Sequence, residues 1–417
     1  MPSLRAATPA MHNLAPPAHR PDPELAYDFV VPPAIHFGAG RIVELGRIAA
    51  TLGDAAWIVA SRRGLSACGG VERIVALLGE AGLEASLVAE SAGEPTVEQV
   101  TAALAGLPPQ HGRPVVIALG GGAAIDLGKA LAALATNADA AATDPEAEVI
   151  DRLEGVGRGL PIVVPPLPVV AVPTTAGTGA EATRNAVVSC PRRRFKKSMR
   201  SPLMVPRAAL VDPSLTLSCD RAVTAASGLD CITQLIESYV CRFRRPLPRA
   251  LVLEALPRAV AALLRVLADP GDLEARAVMS HAALVSGMAL GNSGLGMAHG
   301  VAAALGVECG TPHGVACALM LPVAMRVNRA ACGADFAALE RACDPASPAG
   351  SAAAADAFVE RIEALCAAAG TPRRLTDVGL APDRLEWLAN NSGGASMRGN
   401  PVALDAAELQ AILAAVA

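Results

Sequence analysis

The sequence predicts an α/β domain built on a parallel sheet, followed by an all-α domain, and three observations carry that expectation. From Phe29 onward, short β-branched runs alternate with Ala/Leu-rich patterns of helical period. Beyond Pro213 strand-like runs almost disappear, and helical periodicity continues to Ala417. A chain of 417 residues is also too long for one ordinary core. The division falls at about 212, giving an α/β domain over 26–212 and a helical domain over 213–417.

Taken in order, residues 1–25 are rich in Pro and Ala and lack the apolar core of a secretory signal, so they are expected to form a disordered leader. "AAWIVAS" reads as a strand, "GGVERIVALLGEAG" as a helix, "EASLVAE" as a strand and "TVEQVTAALAG" as a helix. "PVVIALGGG" is a strand that runs into a glycine turn, and "PVVAVPTT" and "AALVDPSL" close the alternation. Strands separated by helices in this way pair in parallel, with both faces of the sheet covered. No repeat of fixed period is present.

Hydrophobic residues make up 52% and charged residues 18%, which excludes wholesale disorder. A formal charge of −4 gives no reason to expect nucleic acid, and the basic run "PRRRFKKSMR", Pro191 to Arg200, reads as a solvated loop. Apolar stretches are interrupted before they reach about 18 residues, so no membrane span is expected. The 10 cysteines are scattered without a CxxC pair, as suits reduced thiols in a cytoplasmic protein.

Two loops point to a nucleotide. In "VVIALGGGAAIDLGKALAALAT" a strand enters Gly120, Gly121 and Gly122 and then a helix, a joint that brings backbone N–H groups and the helix dipole to a phosphate. "PTTAGTGAEAT" places Thr174, Thr175 and Thr178 after the next strand, where hydroxyls can reach phosphate or ribose. In an open α/β sheet the ligand crevice lies at such strand ends, and Lys196 then gains meaning as a cation for phosphate or ribose. In the helical half, "GLDCITQLIESYV" sets Asp230 and Gln234 on one helix face, and His299 and His313 follow 14 residues apart. Singly these histidines read as core residues; beside an Asp-x-x-x-Gln helix they suggest a metal site.

"GGGAAIDLGKA" resembles the GGGSxxDxAK motif of the iron-containing (group III) alcohol dehydrogenase family, and "PTTAGTGAE" is similar to its PTTxGTGSE motif. The resemblance runs on through "VDPSLT", "GLDCITQLIESYV", "GLGMAHGVAAALG", "TPHGVACALMLP" and "SMRGNP", covering the chain from about Phe29 to its C-terminus. It implies the dehydroquinate synthase-like fold, a nicotinamide cofactor and metal-assisted hydride transfer involving a small alcohol or aldehyde. It also implies a homo-oligomer. Cofactor contacts are carried onto Gly121, Gly122, Thr174, Thr175, Thr178 and Lys196, with Asp126 fixing the glycine loop.

The family's four metal ligands correspond to Asp230, Gln234, His299 and His313, so three match and Gln234 stands where histidine is usual. Asp230, His299 and His313 are the residues expected to carry catalysis. A Gln carbonyl is a harder, weaker donor than imidazole, which should lower affinity for Fe or Zn. The alternative is a site that has lost its metal and polarises the carbonyl by hydrogen bonds. Ala303 replaces a histidine found near the substrate in many members, leaving water, a ribose hydroxyl or another side chain as proton relay; His281 reads as core packing. Ser61 stands where NAD-preferring members often carry aspartate, and Arg62 and Arg63 follow it, so NADP is favoured over NAD. Two rival readings stay open: a maleylacetate reductase-like enzyme using Arg184 and Arg200 on a substrate carboxylate, and a non-catalytic NADP(H)-binding protein. The sugar-phosphate cyclising lyases of the same fold fit the quoted motifs less well.

Overall fold

The computed structural model describes residues 26–109, 112–139, 142–347 and 350–417, so the leader assigned to 1–25 lies outside the described residues. Six strands form one sheet in the order β1-β8-β5-β4-β2-β3: β1 (Ile35–Phe37), β2 (Ala55–Ser61), β3 (Glu84–Ser91), β4 (Pro114–Gly120), β5 (Val169–Pro173) and β8 (Ala208–Val211). Every pairing is parallel. The chain steps outward from β2 to β3, then crosses back to β4 and continues through β5 to β8, so the order reverses between β2 and β4. A crevice outside the C-terminal ends of those two strands is where such sheets bind ligands.

Alternation along the strands builds both faces. Trp57, Val59, Val116 and Ala118 join one core layer, whereas Ile58, Ala60, Ile117 and Leu119 join the other. β4 is buried along its whole length, as expected of a central strand with helices on both sides.

The basic run is not a loop. It forms the turn and second strand of an antiparallel hairpin, β6 (Asn185–Cys190) with β7 (Phe195–Arg200), and Arg194 takes φ 52° in the turn. Its inward residues pack against the sheet layer through Val188, Cys190 and Met199, while its cations meet acids from elsewhere. Arg192 pairs with Glu98 and Glu146, Arg194 with Glu308, Lys196 with Glu94, and Arg200 with Glu154. Those long-range partners are what sequence inspection missed.

Among the described residues no strand follows Val211. Helices Arg221–Val240, Pro246–Ala268, Leu273–Asn292, Met297–Cys309 and His313–Asn328 build the helical half, two of them N-capped by Asp220 and Asp272. Helix Arg221–Val240 runs through the middle: every residue from Gly228 to Val240 is buried. Its apolar residues Leu229, Ile232, Leu235 and Ile236 fill the core with Leu256, Leu263 and Met279. Asp230, Gln234 and Glu237 are therefore buried polar groups that require partners. No described helix is long and apolar enough to cross a membrane, and the cysteines are all free thiols.

A buried cation ties the glycine-loop helix, Gly122–Asn137, to its surroundings. The Lys129 ammonium lies 3.0 Å from Asp126 and donates to the Ala180 carbonyl (3.0 Å) and the Thr183 hydroxyl (2.9 Å). Neighbouring Glu181 is also buried, and burial pushes its carboxyl up to about 7 against the opposing pull of its own backbone N–H and Lys129. Between the ordinary value of 4.5 and about 7 the unfolded chain releases this proton while the folded chain keeps it, so stability falls as pH rises through that window. Glu181→Gln is expected to gain roughly 2–3 kcal/mol over the parent between about pH 5 and about pH 8. Urea unfolding of both chains at the two pH values measures this; a pH-independent gap would contradict the assignment.

Candidate functional site

The crevice at the strand ends is built by two loops in contact. Gly120 adopts φ 147°, and a Cβ there would lie 2.6 Å from the Ser61 hydroxyl. A Cβ on Gly122 would lie 2.6 Å from the Thr178 hydroxyl, and one on Gly121 3.4 Å from that of Thr175. At Gly120 and Gly122 a side chain would displace these hydroxyls, whereas at Gly121 the distance is an ordinary contact. Thr174 is buried, and its N–H donates to the Gly120 carbonyl at 2.9 Å, joining the loops as β4 pairs with β5. Helix Gly122–Asn137 begins at Gly121 without a side-chain cap, so no capping side chain takes up its first N–H groups.

The remaining cofactor candidates fall on the rim or behind the loops. Ser61 ends β2 and caps helix Arg62–Ala67 by accepting from the Gly64 N–H (3.1 Å). Arg62 is exposed, 3.2 Å from the Glu90 carboxylate, and Arg63 is exposed beside it. The Asp126 carboxylate accepts from the Val187 N–H (3.1 Å) and pairs with Lys129, so it braces the helix against the hairpin. Lys196 projects from β7 to Glu94, and both groups are close enough to His313 to act on it electrostatically.

Asp230, His299 and His313 converge in the helical half. Asp230 Oδ1 lies 3.3 Å from His299 Nε2 and 3.9 Å from His313 Nε2. Cys317, one turn after His313 on the same helix, brings its Sγ to 3.6 Å from His313 Nε2. The donor atoms of these four residues all lie within 4.8 Å of one another. Gln234 is placed differently from the expectation of a metal ligand. Its amide N–H donates to Asp230 Oδ2 (3.1 Å), and its carbonyl accepts from the Ser286 hydroxyl (2.7 Å). A flipped amide would set its carbonyl against a carboxylate, so the charge on Asp230 fixes this orientation.

Glu237, two turns beyond Asp230, holds the other end of the cluster. Its carboxylate accepts from His299 Nδ1 (2.6 Å) and from the N–H groups of Gly296 (3.0 Å) and Ala298 (2.7 Å) at the start of helix Met297–Cys309. That arrangement places an anion at a helix N-terminus and leaves His299 Nε2 directed at Asp230. Burial disfavours charge on His299, but the facing Cys317, Asp230 and Glu237 outweigh it and hold the imidazole well above its usual value. His313 moves the other way, to about 4, because burial and the Lys196 and His299 charges outweigh Asp230 and Glu94. Asp230 stays below the usual carboxylate range: burial opposes this, and His299, His313 and Cys317 overcome it.

The other candidates lie elsewhere. His281 is neither in the core nor at the site; it is half-exposed, bonded to Glu254 (2.9 Å) and set edge-on to Phe37. Arg200 is held by Glu154 at 2.7 Å, and Arg184 lies close enough to both to feel their charges. Ala303 sits one turn after His299 on helix Met297–Cys309. Sequence reasoning missed Cys317, Glu237, Ser286 and Glu94. The signals for the first two were present, as Cys317 is four residues after His313 and Glu237 seven after Asp230, both repeats of one helix face.

A divalent metal fits these residues. Asp230 Oδ1 and His299 Nε2 are buried without a hydrogen-bond partner, a costly state that a shared cation relieves. The threonine loop after β5 meets the helix that carries Asp230: Gly177 packs on Ser227, one turn before Asp230, and the Cys219 thiol donates to the Thr174 carbonyl at 3.3 Å.

Comparison with known proteins agrees with this geometry. Residues 32–213 match the family model "Iron-containing alcohol dehydrogenase", and residues 224–417 match "Fe-containing alcohol dehydrogenase family, C-terminal". The chain is 32% identical to the lactaldehyde reductase of Escherichia coli (strain K12), over 85% of this chain and 89% of that protein. It is 31% identical to the choline dehydrogenase of Bacillus subtilis (strain 168), over 88% of this chain and 89% of that one. Among solved structures, a 1,3-propanediol oxidoreductase superposes with TM-score 0.84 at 28% identity, covering 94% of this chain and 100% of its own. Both halves of the sequence, the parallel sheet with its helical partner and the buried carboxylate–imidazole cluster thus lead to one conclusion: the chain belongs to the iron-containing alcohol dehydrogenase family.

Proposed function

We propose that this chain transfers hydride reversibly between a nicotinamide cofactor and a small alcohol or aldehyde, with a divalent metal at Asp230, His299 and His313. The observation that carries this reading is the contact of Gly177 with Ser227, which sets the nucleotide-side loop one turn from Asp230. The names of the relatives, lactaldehyde reductase and 1,3-propanediol oxidoreductase, support a small substrate. In this reading residues 26–212 bind the cofactor and residues 213–417 bind metal and substrate.

The chain's own residues divide the work. N–H groups at Gly121 and Gly122, with the Thr174, Thr175 and Thr178 region, bind the diphosphate. Lys196 Nζ donates to the ribose on the His313 side. Glu237 orients His299 and fixes its tautomer from behind. When bound, the metal supplies Lewis acidity that stabilises negative charge on the substrate oxygen as hydride leaves or arrives. Iron and zinc both suit this reading.

For the adenosine end we propose NADP. Ser61 carries no charge to repel a 2′-phosphate, and Arg62 stands next to it at the strand end. The test is oxidation of NADPH and NADH by short aldehydes with and without a chelator. NADPH is expected to be preferred, with activity lost on chelation and regained with Fe(II) or Zn(II). Arg62→Ala is expected to raise KM for NADPH about tenfold while leaving NADH nearly unchanged, the loss of one charged hydrogen-bonding partner. No oxidation with any aldehyde, cofactor or metal would overturn the proposal in favour of a binding protein. The carboxylated-substrate reading is weaker because Arg200 is already held by Glu154.

A further inference from the structure

Resting on the metal reading above, we propose that Cys317 is the fourth protein donor of this site. The metal is then held by one carboxylate, two imidazoles and a thiolate, with Gln234 outside the coordination set.

Geometry argues for this first. A tetrahedral site with metal–nitrogen and metal–oxygen bonds near 2.0–2.1 Å and a metal–sulfur bond near 2.3 Å separates its donors by about 3.3–3.6 Å. The observed separations are 3.3 Å for Asp230–His299, 3.9 Å for Asp230–His313 and 3.6 Å for His313–Cys317. Three of the six separations are therefore close to those of a loaded site, and all donor atoms lie within 4.8 Å of one another. Cys317 is fully buried, and so are the unpartnered Asp230 Oδ1 and His299 Nε2 beside it.

The state of Gln234 argues for it independently. Its amide is satisfied at both ends, by Asp230 Oδ2 and by Ser286. To ligate, the carbonyl would have to give up the buried Ser286 hydroxyl that now donates to it. The donor lost where Gln234 replaces an imidazole is thus supplied from the opposite side, one turn after His313.

Charge and softness then set the preference. Binding breaks the Cys317 Sγ–H bond, its proton goes to solvent, and the sulfur electron pair goes to the metal. Two anionic donors, Asp230 and Cys317, balance a divalent charge in this buried pocket. A thiolate beside two imidazoles moves the selectivity toward Zn(II) and away from Fe(II).

The test is cobalt substitution of the full chain, stripped by chelator and kept anaerobic. One equivalent of Co(II) is expected to give a thiolate-to-Co(II) charge-transfer band in the near ultraviolet. Cys317→Ser should bind Co(II) without that band and weaken Zn(II) at least about tenfold in competition with a chelating dye. Gln234→Ala should keep the band, since Gln234 lies outside the coordination set, and retained Co(II) binding shows that the serine variant is folded. Co(II) bound without the band in the parent chain, or a band that survives Cys317→Ser, overturns Cys317 as donor and leaves the three-residue metal reading standing. No Co(II) bound at all overturns both.

Discussion

Asp230→Ala is expected to lower kcat/KM for aldehyde reduction by at least about 10³-fold and to leave the purified chain without its metal. Asp230 is the residue on which the cluster closes: both imidazoles face its Oδ1, and Gln234 donates to its Oδ2. Without it a metal would keep two imidazoles and no carboxylate, and Gln234 would lose the group that sets its orientation. The glycine and threonine loops are built by other elements, so the Kd for NADPH should stay within about threefold of the parent value. Metal analysis, steady-state kinetics and cofactor titration on the same preparation check all three. Parent-like turnover with the metal absent would sink the metal mechanism, and loss of NADPH binding together with activity would point to unfolding instead.

Gly287→Ala is expected to cost at least about 3 kcal/mol, a large stability change for the addition of one methyl group. Gly287 lies within helix Leu273–Asn292, where alanine is ordinarily preferred, so intrinsic helix propensity would favour the substitution. Packing reverses the sign. A Cβ there would sit 2.2 Å from the Gly179 carbonyl oxygen, and Gly179 is itself held at φ 60° against Gly287. The two backbones have no flexible side chain between them that can give way. Chemical denaturation of both proteins measures the difference. A stabilised variant would mean that the loop and the helix do not touch in solution. The variant should also bind cofactor more weakly, since Thr178 is carried on the displaced loop.

The strands and helices of the sheet half were legible because their apolar alternation is local, and the two loops were legible because glycines and threonines cluster in sequence. Asp230, His299 and His313 could be named in advance, although only the fold brings the helix carrying Asp230 against residues 69 and 83 positions away. The hairpin was misread because its cations looked solvated, and their acids, Glu94, Glu98, Glu146, Glu154 and Glu308, come from four other segments. β1 was too short to announce itself: Ile35–Phe37 is three residues, and its strand character comes from pairing with β8. Gln234 shows the limit most plainly. Its spacing from Asp230 made it look like a ligand, but the direction of its amide depends on Ser286, which is 52 residues away on another helix.

Glu237 fastens His299 and the first turn of helix Met297–Cys309 to helix Arg221–Val240 through bonds that contain no metal. Under the proposed metal reading these bonds hold His299 independently of the ion, unlike small zinc modules in which the ion is the nucleus of folding. Removing the ion should empty a finished mould instead of collapsing it. The identity of the bound metal then becomes a matter of supply and selectivity, open to exchange in the mature protein.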